Sequence, residues 1–502
     1  MKFYQSLRKI LLIWAMVLLA ACSSQADLSE PEPTAVIVEA TAIPTQTAAL
    51  PTPTVTLEEP TATPVEQVDQ PHNVILIIAD DYGVDMAALY NTDSNDLPPT
   101  PNIDALFAEG VLFENAWSNP ICSPTRATML TGRYSFRTGV GDPVGPGGAG
   151  LSLNEITLPQ VISAGSDLDY THANIGKWHL SSRQNGGNDH PNLSGYDYYS
   201  GLLRGGVETY SNWEKIVNGS TETVTNYATT EIVDDAIAWL DTQNQAEKPW
   251  FLWLAFNAPH SPFHLPPVEL HSFDDLPENG GDPYDYYKAM VEAMDTEIGR
   301  LLASIPADVR VNTTIIFIGD NGSPRRMVQS PLTRQQGKGS LYNGGVHVPL
   351  IVAGPKVANP GRASDALVNS VDMFATILDL LEIDQSLRAD GEDAVTLMPY
   401  IKNVAHPAER DWIFTERFGL RNNMDYGKAI RNEQYKLIQF ETGTSEFYNL
   451  TDDPFEKNNL LQDGGNLTGE QQTELCELHA TMSNLLDTGT PSFTLLPPDS
   501  CK

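Results

Sequence analysis

Basic residues are scarce in this chain. Its 502 residues carry 30 Lys+Arg against 65 Asp+Glu, a formal net charge of −35. A nucleic-acid binder needs a basic face that displaces counterions, so that class is excluded. The same field would repel an anionic small molecule, so a site for one must reverse the charge locally. Cysteine is rarer still, with four residues. No Cys or His pair stands at zinc-ligand spacing, which argues against a zinc site. Long apolar runs are missing too: Ile10 to Leu19 is too short to span a bilayer comfortably. What is present is 41% hydrophobic and 8% aromatic residues, enough for a sizeable core. Wholesale disorder, collagen and coiled coil are therefore excluded.

The first 70 residues divide in two. Lys2, Arg8 and Lys9 precede the apolar run, and Leu19-Ala20-Ala21-Cys22 closes it. A basic region, a short apolar segment and small residues before a cut describe a secretory signal peptide over residues 1–21. The last four residues resemble the bacterial lipobox, in which the Cys is lipidated and becomes the mature N-terminus. An ordinary cleaved signal with an incidental Cys22 is the plainer alternative. Residues 22–70 follow, rich in Thr and Pro (Pro31, Pro33, Pro44, Pro51, Pro53, Pro60, Pro64) and without Lys, Arg, Gly or aromatics. Proline fixes φ and removes donors, and little here can be buried, so the segment reads as a disordered stalk. The expectation is an exported protein, lipid-anchored to the cell envelope or cell surface, touching membrane through that lipid alone.

From His72 the pattern changes. Val74 to Ala79 is a continuous, β-branched apolar run that stops at Asp80-Asp81. Thr313 to Ile318 stops at Gly319-Asp320-Asn321-Gly322; Trp250 to Phe256 runs into Asn257-Ala258-Pro259-His260; Tyr170 to Ile175 runs into Gly176-Lys177-Trp178-His179. Such runs read as strands buried on both faces. Helical segments separate them at Pro101–Glu109, Asn226–Leu240 and Tyr286–Ile305. Alternating strands and helices predict an α/β sheet, which binds ligands beyond the carboxyl ends of its strands. Each polar tail alone is ordinary turn chemistry. Four of them together predict one shared site.

The chemistry of that site follows from its donors. Asp80, Asp81, Asp320 and Asn321 offer only oxygen, which selects Ca²⁺ or Mg²⁺ over Zn²⁺. Lys177, His179, His260 and Gly337-Lys338-Gly339 add cations and proton donors. Metal, lysines and histidines together are what a tetrahedral oxyanion, sulfate or phosphate, requires. Cys122 stands in Asn119-Pro120-Ile121-Cys122-Ser123-Pro124-Thr125-Arg126, with Leu130-Thr131-Gly132-Arg133 behind it. Pro124 suits a first helical turn and Gly132 a stop, so Cys122 is expected at a helix N-terminus, which favours an anion. A buried structural cysteine or a low-pKa thiolate nucleophile are the competing readings.

Here the sequence resembles the formylglycine-dependent, arylsulfatase-like sulfatases of the alkaline phosphatase superfamily. Their Cys-x-Pro-x-Arg signature stands as Cys122 to Arg126, followed by Leu130-Thr131-Gly132-Arg133. The motifs Asp80-Asp81, Gly176-Lys177-Trp178-His179, Ala258-Pro259-His260, Asp320-Asn321-Gly322 and Gly337-Lys338-Gly339 occur in family order. The likeness runs from about residue 71 to about 465. It implies that a maturation enzyme oxidises Cys122 to formylglycine, whose hydrate carries two hydroxyls. One attacks sulfur and expels the alcohol; the other, losing its proton, ejects sulfate. It also implies Ca²⁺ (or Mg²⁺) held by Asp80, Asp81, Asp320, Asn321 and the modified Cys122. Arg126 would steady the diol, Lys177 and Lys338 would hold sulfate oxygens, and His179 would take the second proton. His260 would protonate the leaving oxygen, and Asp320 is a candidate for activating the attacking hydroxyl.

The implied fold is an alkaline-phosphatase-like large domain, with a mixed, mostly parallel sheet sandwiched by helices, over residues 71–400. A small C-terminal α+β subdomain with an antiparallel sheet would occupy 401–502. There Trp412–Thr415, Lys428–Arg431, Tyr435–Phe440 and Phe447–Leu450 read as strands, and Thr468–Leu486 as a helix with Leu475, Leu478, Met482 and Leu485 at core spacing. Cys476 and Cys501 could form one disulfide in an exported protein. His347 stands where the family often has Arg, which reads as a change behind the site. The expected activity is sulfuric ester hydrolysis of an aryl or carbohydrate sulfate. Phosphodiester or phosphonate monoester hydrolysis is the close alternative, and an inactive lipoprotein that binds sulfated glycans is the alternative from another class.

Overall fold

Alternation along a single strand decides the architecture. In β1 (Asn73–Ala79), Ile75 and Ile77 join one apolar cluster while Val74, Leu76 and Ile78 join another on the opposite face. All five are fully buried. Each contributes about 1.5–3 kcal/mol over an exposed side chain, so the strand is fixed from both sides. The computed structural model describes residues 71–384, 393–419, 423–462 and 465–489, with 495, 497, 498 and 501. The signal peptide, the lipobox Cys22 and the stalk lie outside the described residues.

Ten strands form the main sheet. After β1 come β2 (Gly110–Trp117), β3 (Thr171–Lys177), β4 (Tyr198–Leu202), β5 (Trp213–Val217), β6 (Ser220–Val224), β7 (Trp250–Ala255), β8 (Thr313–Gly319), β9 (Leu350–Ala353) and β10 (Arg362–Asn369). Their spatial order is β10-β2-β9-β8-β1-β7-β3-β4-β5-β6. The central run β8-β1-β7-β3-β4 is parallel throughout. Antiparallel pairs enter through β9, which lies between β8 and β2, and through β5 and β6 at one edge. Helices Ala228–Gln245 and Pro283–Ser304 cover one face with Ile232, Val233, Met290, Met294 and Ile298. Helices Cys122–Thr131, Leu158–Gly165 and Met373–Leu380 cover the other. The mostly parallel sheet between helices expected from the sequence is the sheet observed.

A second sheet, β11 (Ile413–Arg417), β12 (Gly427–Arg431), β13 (Tyr435–Phe440) and β14 (Ser445–Asn449), is antiparallel in sequential order. Helix Gly469–Asp487 packs on it through Leu475, Leu478, Met482 and Leu486. The last of these takes the place the spacing gave to Leu485, which is only partly buried. Cys476 and Cys501 are joined as a disulfide. No helix among the described residues is long and apolar enough to cross a membrane.

Candidate active site

Because β8, β1, β7 and β3 run parallel as neighbours, their carboxyl ends emerge along one edge. That edge receives Asp80-Asp81 from β1, Asp320-Asn321 from β8, His260 from beyond β7 and Lys177 with His179 from β3. The expected convergence is what the fold delivers. Helix Cys122–Thr131 starts at Cys122 itself and ends on Gly132, whose φ of +69° is left-handed. Every residue of that helix is buried. Two site residues also hold left-handed backbone: Asp81 (φ +70°) and His179 (φ +59°). A non-glycine residue pays about 1–3 kcal/mol for such a conformation, and the surroundings fix it here. Asp81 is pinned by its own N–H, which donates to Asp320 Oδ1 at 3.1 Å, and by Tyr287 OH, which donates to its carbonyl at 2.7 Å.

Each carboxylate of the cluster has a cation. Arg126, fully buried, donates from Nε and Nη2 to Asp320 Oδ2 at 3.1 and 2.7 Å, and from Nη1 to the Lys177 carbonyl at 2.7 Å. Lys177 Nζ is paired with Asp80 Oδ2 and Lys338 Nζ with Asp81 Oδ1. Asn321 Nδ2 donates to Asp81 Oδ1 at 2.8 Å. Three carboxylates thus face three cations, so the local charge departs sharply from the overall excess of acid. Ligand-capable atoms of Asp80, Cys122 and Asp320 lie within 4.8 Å of one another, as do those of Asp80, Asp81 and His260.

The cluster fits a hard divalent cation. Asp80 Oδ1 and Asn321 Oδ1 are buried and have no hydrogen-bond partner. An orphaned buried acceptor costs about 1–3 kcal/mol, and a cation bound among these donors would satisfy it. Oxygen donors of this kind select Ca²⁺ or Mg²⁺.

Cys122 Sγ lies 3.2 Å from His179 Nδ1. Burial pushes the Cys122 thiol up, against the pull of Lys177 and Lys338. That direction disfavours the low-pKa thiolate nucleophile weighed from the sequence. Burial first, then Lys177, Arg126 and Lys338, hold the His179 imidazole well below its ordinary value. A neutral imidazole is a proton acceptor. His260 is half-buried, with Nδ1 2.7 Å from the Ser261 carbonyl, which leaves Nε2 as its available nitrogen.

Other residues support the site from behind. His179 is held by its loop: Trp178 N–H and His179 N–H donate to the carbonyls of Leu202 and Leu203 at 2.9 and 3.2 Å, which zips β3 to β4 beyond the strand ends. Trp178 Nε1 donates to His190 Nδ1 at 3.0 Å and closes the loop behind it. Gly205 and Gly206 then lie against the two histidines. A Cβ on Gly205 would stand 2.5 Å from His179 Cε1, and one on Gly206 would stand 3.2 Å from His260 Cε1. A Gly-Gly pair just past a strand signals close approach, but only the pairing of β4 with β3 says to what. Arg325 backs the Lys338 loop, donating to its carbonyl at 3.1 Å and pairing with Asp425 at 2.8 Å. His347 bonds through Nε2 to the Glu114 carbonyl at 2.8 Å and lines a separate cavity with Tyr90 and Arg431.

With this geometry in place, the chain can be set beside known proteins. The family model described as "Sulfatase" matches residues 72–383. The chain belongs to the sulfatase family. A second model, "N-sulphoglucosamine sulphohydrolase, C-terminal", matches residues 335–483 of this sulfatase-family chain. An ulvan-active sulfatase of Formosa agariphila is 29% identical over 429 residues, covering 79% of each chain. The N-acetylgalactosamine-6-sulfatase of Canis lupus familiaris is 29% identical over 350 residues. That match spans 62% of this chain and 62% of the canine protein's length. Among solved structures, Ps i-CgsB superposes with a TM-score of 0.70 at 25% identity, over 84% of this chain and 95% of that one. It has also been solved in complex with k-i-k-neocarrahexaose.

Proposed function

We propose that the protein is a sulfuric ester hydrolase acting on a carbohydrate or aryl sulfate, with Cys122 matured to formylglycine and Ca²⁺ (or Mg²⁺) in the Asp80–Asp81–Asp320–Asn321 cradle. The observation that carries this reading is the placement of Cys122. It stands at a buried helix N-terminus, against a neutral His179, among three carboxylates matched by three cations. A divalent ion would make this balanced cluster cationic, which answers the charge problem posed by the acidic chain. The Cys122 Sγ stands in for an oxygen of the hydrated aldehyde, which would supply the nucleophile, and an ion held by Asp80, Asp81, Asp320 and Asn321 would supply Lewis-acid polarisation of the ester.

The chain's own residues do the rest. Arg126 holds Asp320 and the Lys177 carbonyl, so it fixes the spacing of the cradle and of the β3 terminus. Lys177 and Lys338, which pair with Asp80 and Asp81, would bind sulfate oxygens. His179 accepts the proton from the group at position 122, which its Nδ1 approaches to 3.2 Å. His260 passes a proton to the leaving oxygen through Nε2.

The same cradle could serve phosphodiesters or phosphonate monoesters, which relatives of this superfamily also cleave. The sulfatase names of the relatives, one for N-acetylgalactosamine and one for ulvan, support the sulfate ester. Turnover of matched aryl sulfate, phosphate diester and phosphonate substrates by the matured protein decides between them. Faster turnover of the phosphorus esters would overturn the sulfatase reading. Lipid attachment at Cys22 and export belong to the same proposal. Metabolic labelling with palmitate, abolished in Cys22→Ser, tests the anchor.

A further inference from the structure

Beside His179 the surface opens into a cavity of about 940 Å³. His179 is the one candidate catalytic residue in its wall, which Arg183, Arg204, Glu208, Asn188 and Asn212 also line. The two arginines stand on the loops that follow β3 and β4, the paired strands whose continuation carries Lys177 and His179. Arg204 directly precedes the two glycines that lie against the catalytic histidines. The Arg183 loop is tied down by its own N–H, which donates to the Pro146 carbonyl at 3.3 Å, and by Ser182 N–H, which donates to Asn185 Oδ1 at 2.6 Å.

Both arginines are exposed, and neither side chain has an ion pair or hydrogen bond among the described residues. Elsewhere in this acidic molecule most described cations are taken by carboxylates, including every lysine and arginine of the catalytic cluster. Two free guanidinium groups in one wall are therefore a local exception. Glu208 and Glu214 line the same cavity without pairing to them. Together with the asparagines they offer acceptors and donors for hydroxyl groups. Forked cations amid hydroxyl partners suit an anionic ring rich in hydroxyls better than a plain aryl group.

We infer that Arg183 and Arg204 bind a second anionic group, a sulfate ester or carboxylate, on the saccharide whose sulfate ester is hydrolysed, and so select multiply charged glycans. This rests on the sulfatase reading for the identity of the hydrolysed group, but binding can be measured without turnover. The test is calorimetric titration of the full-length Cys122→Ala protein, with Ca²⁺ present, using oligosaccharides of dextran sulfate, of polygalacturonate and of neutral dextran. The sulfated or the carboxylated oligosaccharide should bind and neutral dextran should not; which of the two binds more tightly names the second group. Adding Arg183→Ala and Arg204→Ala should weaken binding roughly fivefold or more, the range for two exposed ionic contacts. Arg183→Lys with Arg204→Lys should recover part of it.

Arg334→Ala with Lys457→Ala removes the same charge outside the cavity and should leave affinity within twofold of the parent. Equal weakening by the remote and cavity pairs would reduce the effect to net charge and overturn the assignment. Binding of neutral dextran as tight as that of the charged oligosaccharides would overturn it as well. Because both arginine side chains lack internal partners, the variants should keep the parent's thermal midpoint. Failure of the matured protein to cleave any sulfate ester would sink the sulfatase reading without touching this binding result.

Discussion

Gly205 offers a perturbation whose size can be worked from the structure. A methyl group there would stand 2.5 Å from Cε1 and 2.6 Å from Nε2 of His179. Ordinary carbon contacts lie near ~3.5–4.0 Å, so the ring or the loop must yield by about 1 Å. The ring is the softer partner, because it is the far end of a side chain at the edge of a cavity, whereas the loop is tied to His179 N–H through the Leu203 carbonyl. Its other neighbour is Cys122 Sγ at 3.2 Å, so the methyl displaces the imidazole from the atom it serves. A misplacement of about 1 Å can cost on the order of 100-fold in rate. Gly205→Ala should therefore lower kcat on an aryl sulfate about 10- to 100-fold, with the thermal midpoint within a few degrees of wild type. Formylglycine content, read by mass, should be unchanged, which separates misplacement of His179 from failed maturation. A kcat within twofold of wild type would refute the claim that this loop positions His179. A large fall in the midpoint would show that the backbone moved instead.

Three further outcomes follow from the buried charges. Arg126→Ala strands Asp320 and the Lys177 carbonyl in the interior, which should cost about 3–5 kcal/mol in urea unfolding measured without divalent ion; no loss would mean the pair is not the strut described. Ca²⁺ at 100 times its dissociation constant should stabilise the wild-type protein by about 2.7 kcal/mol, a gain that Asp80→Asn combined with Asp320→Asn should abolish. Burial holds the His72 ring, 2.8 Å from Thr314 Oγ1, down to about 3. Because the folded value lies below the unfolded one, its stability contribution is complete above about pH 6.5 and is lost as the pH falls toward 3. Between pH 7.5 and 5 the wild type should lose about 2 kcal/mol more than His72→Gln; parallel pH profiles would contradict this.

Much of the site was legible because its residues follow uninterrupted apolar runs. A strand buried on both faces is written as a run such as Val74 to Ala79, and its polar terminus marks where the chain leaves the sheet. The order of motifs then named the family. What was not legible depends on lateral pairing. The sequence of β4 (Tyr198–Leu202) has no long apolar run, and it becomes part of the site only by lying beside β3, which puts Gly205 and Gly206 on the histidines. The same holds for the charge network. Sequence motifs assign Arg126 to the nucleophile and the lysines to sulfate, whereas in the fold each meets a carboxylate. Such pairing arises from segments as much as 257 residues apart and leaves no local trace. The Cys476–Cys501 disulfide is a case of the same kind: sequence separation permits it, and only the placement of helix Gly469–Asp487 brings the two residues together.

The central claim concerns one atom, the sulfur of Cys122. Mass analysis of the proteolytic peptide that carries Cys122, taken from protein made in its native host, tests it most directly. The account predicts an aldehyde or its hydrate in place of the thiol. A peptide that retains an unmodified Cys122, in protein that nonetheless cleaves sulfate esters, would contradict it.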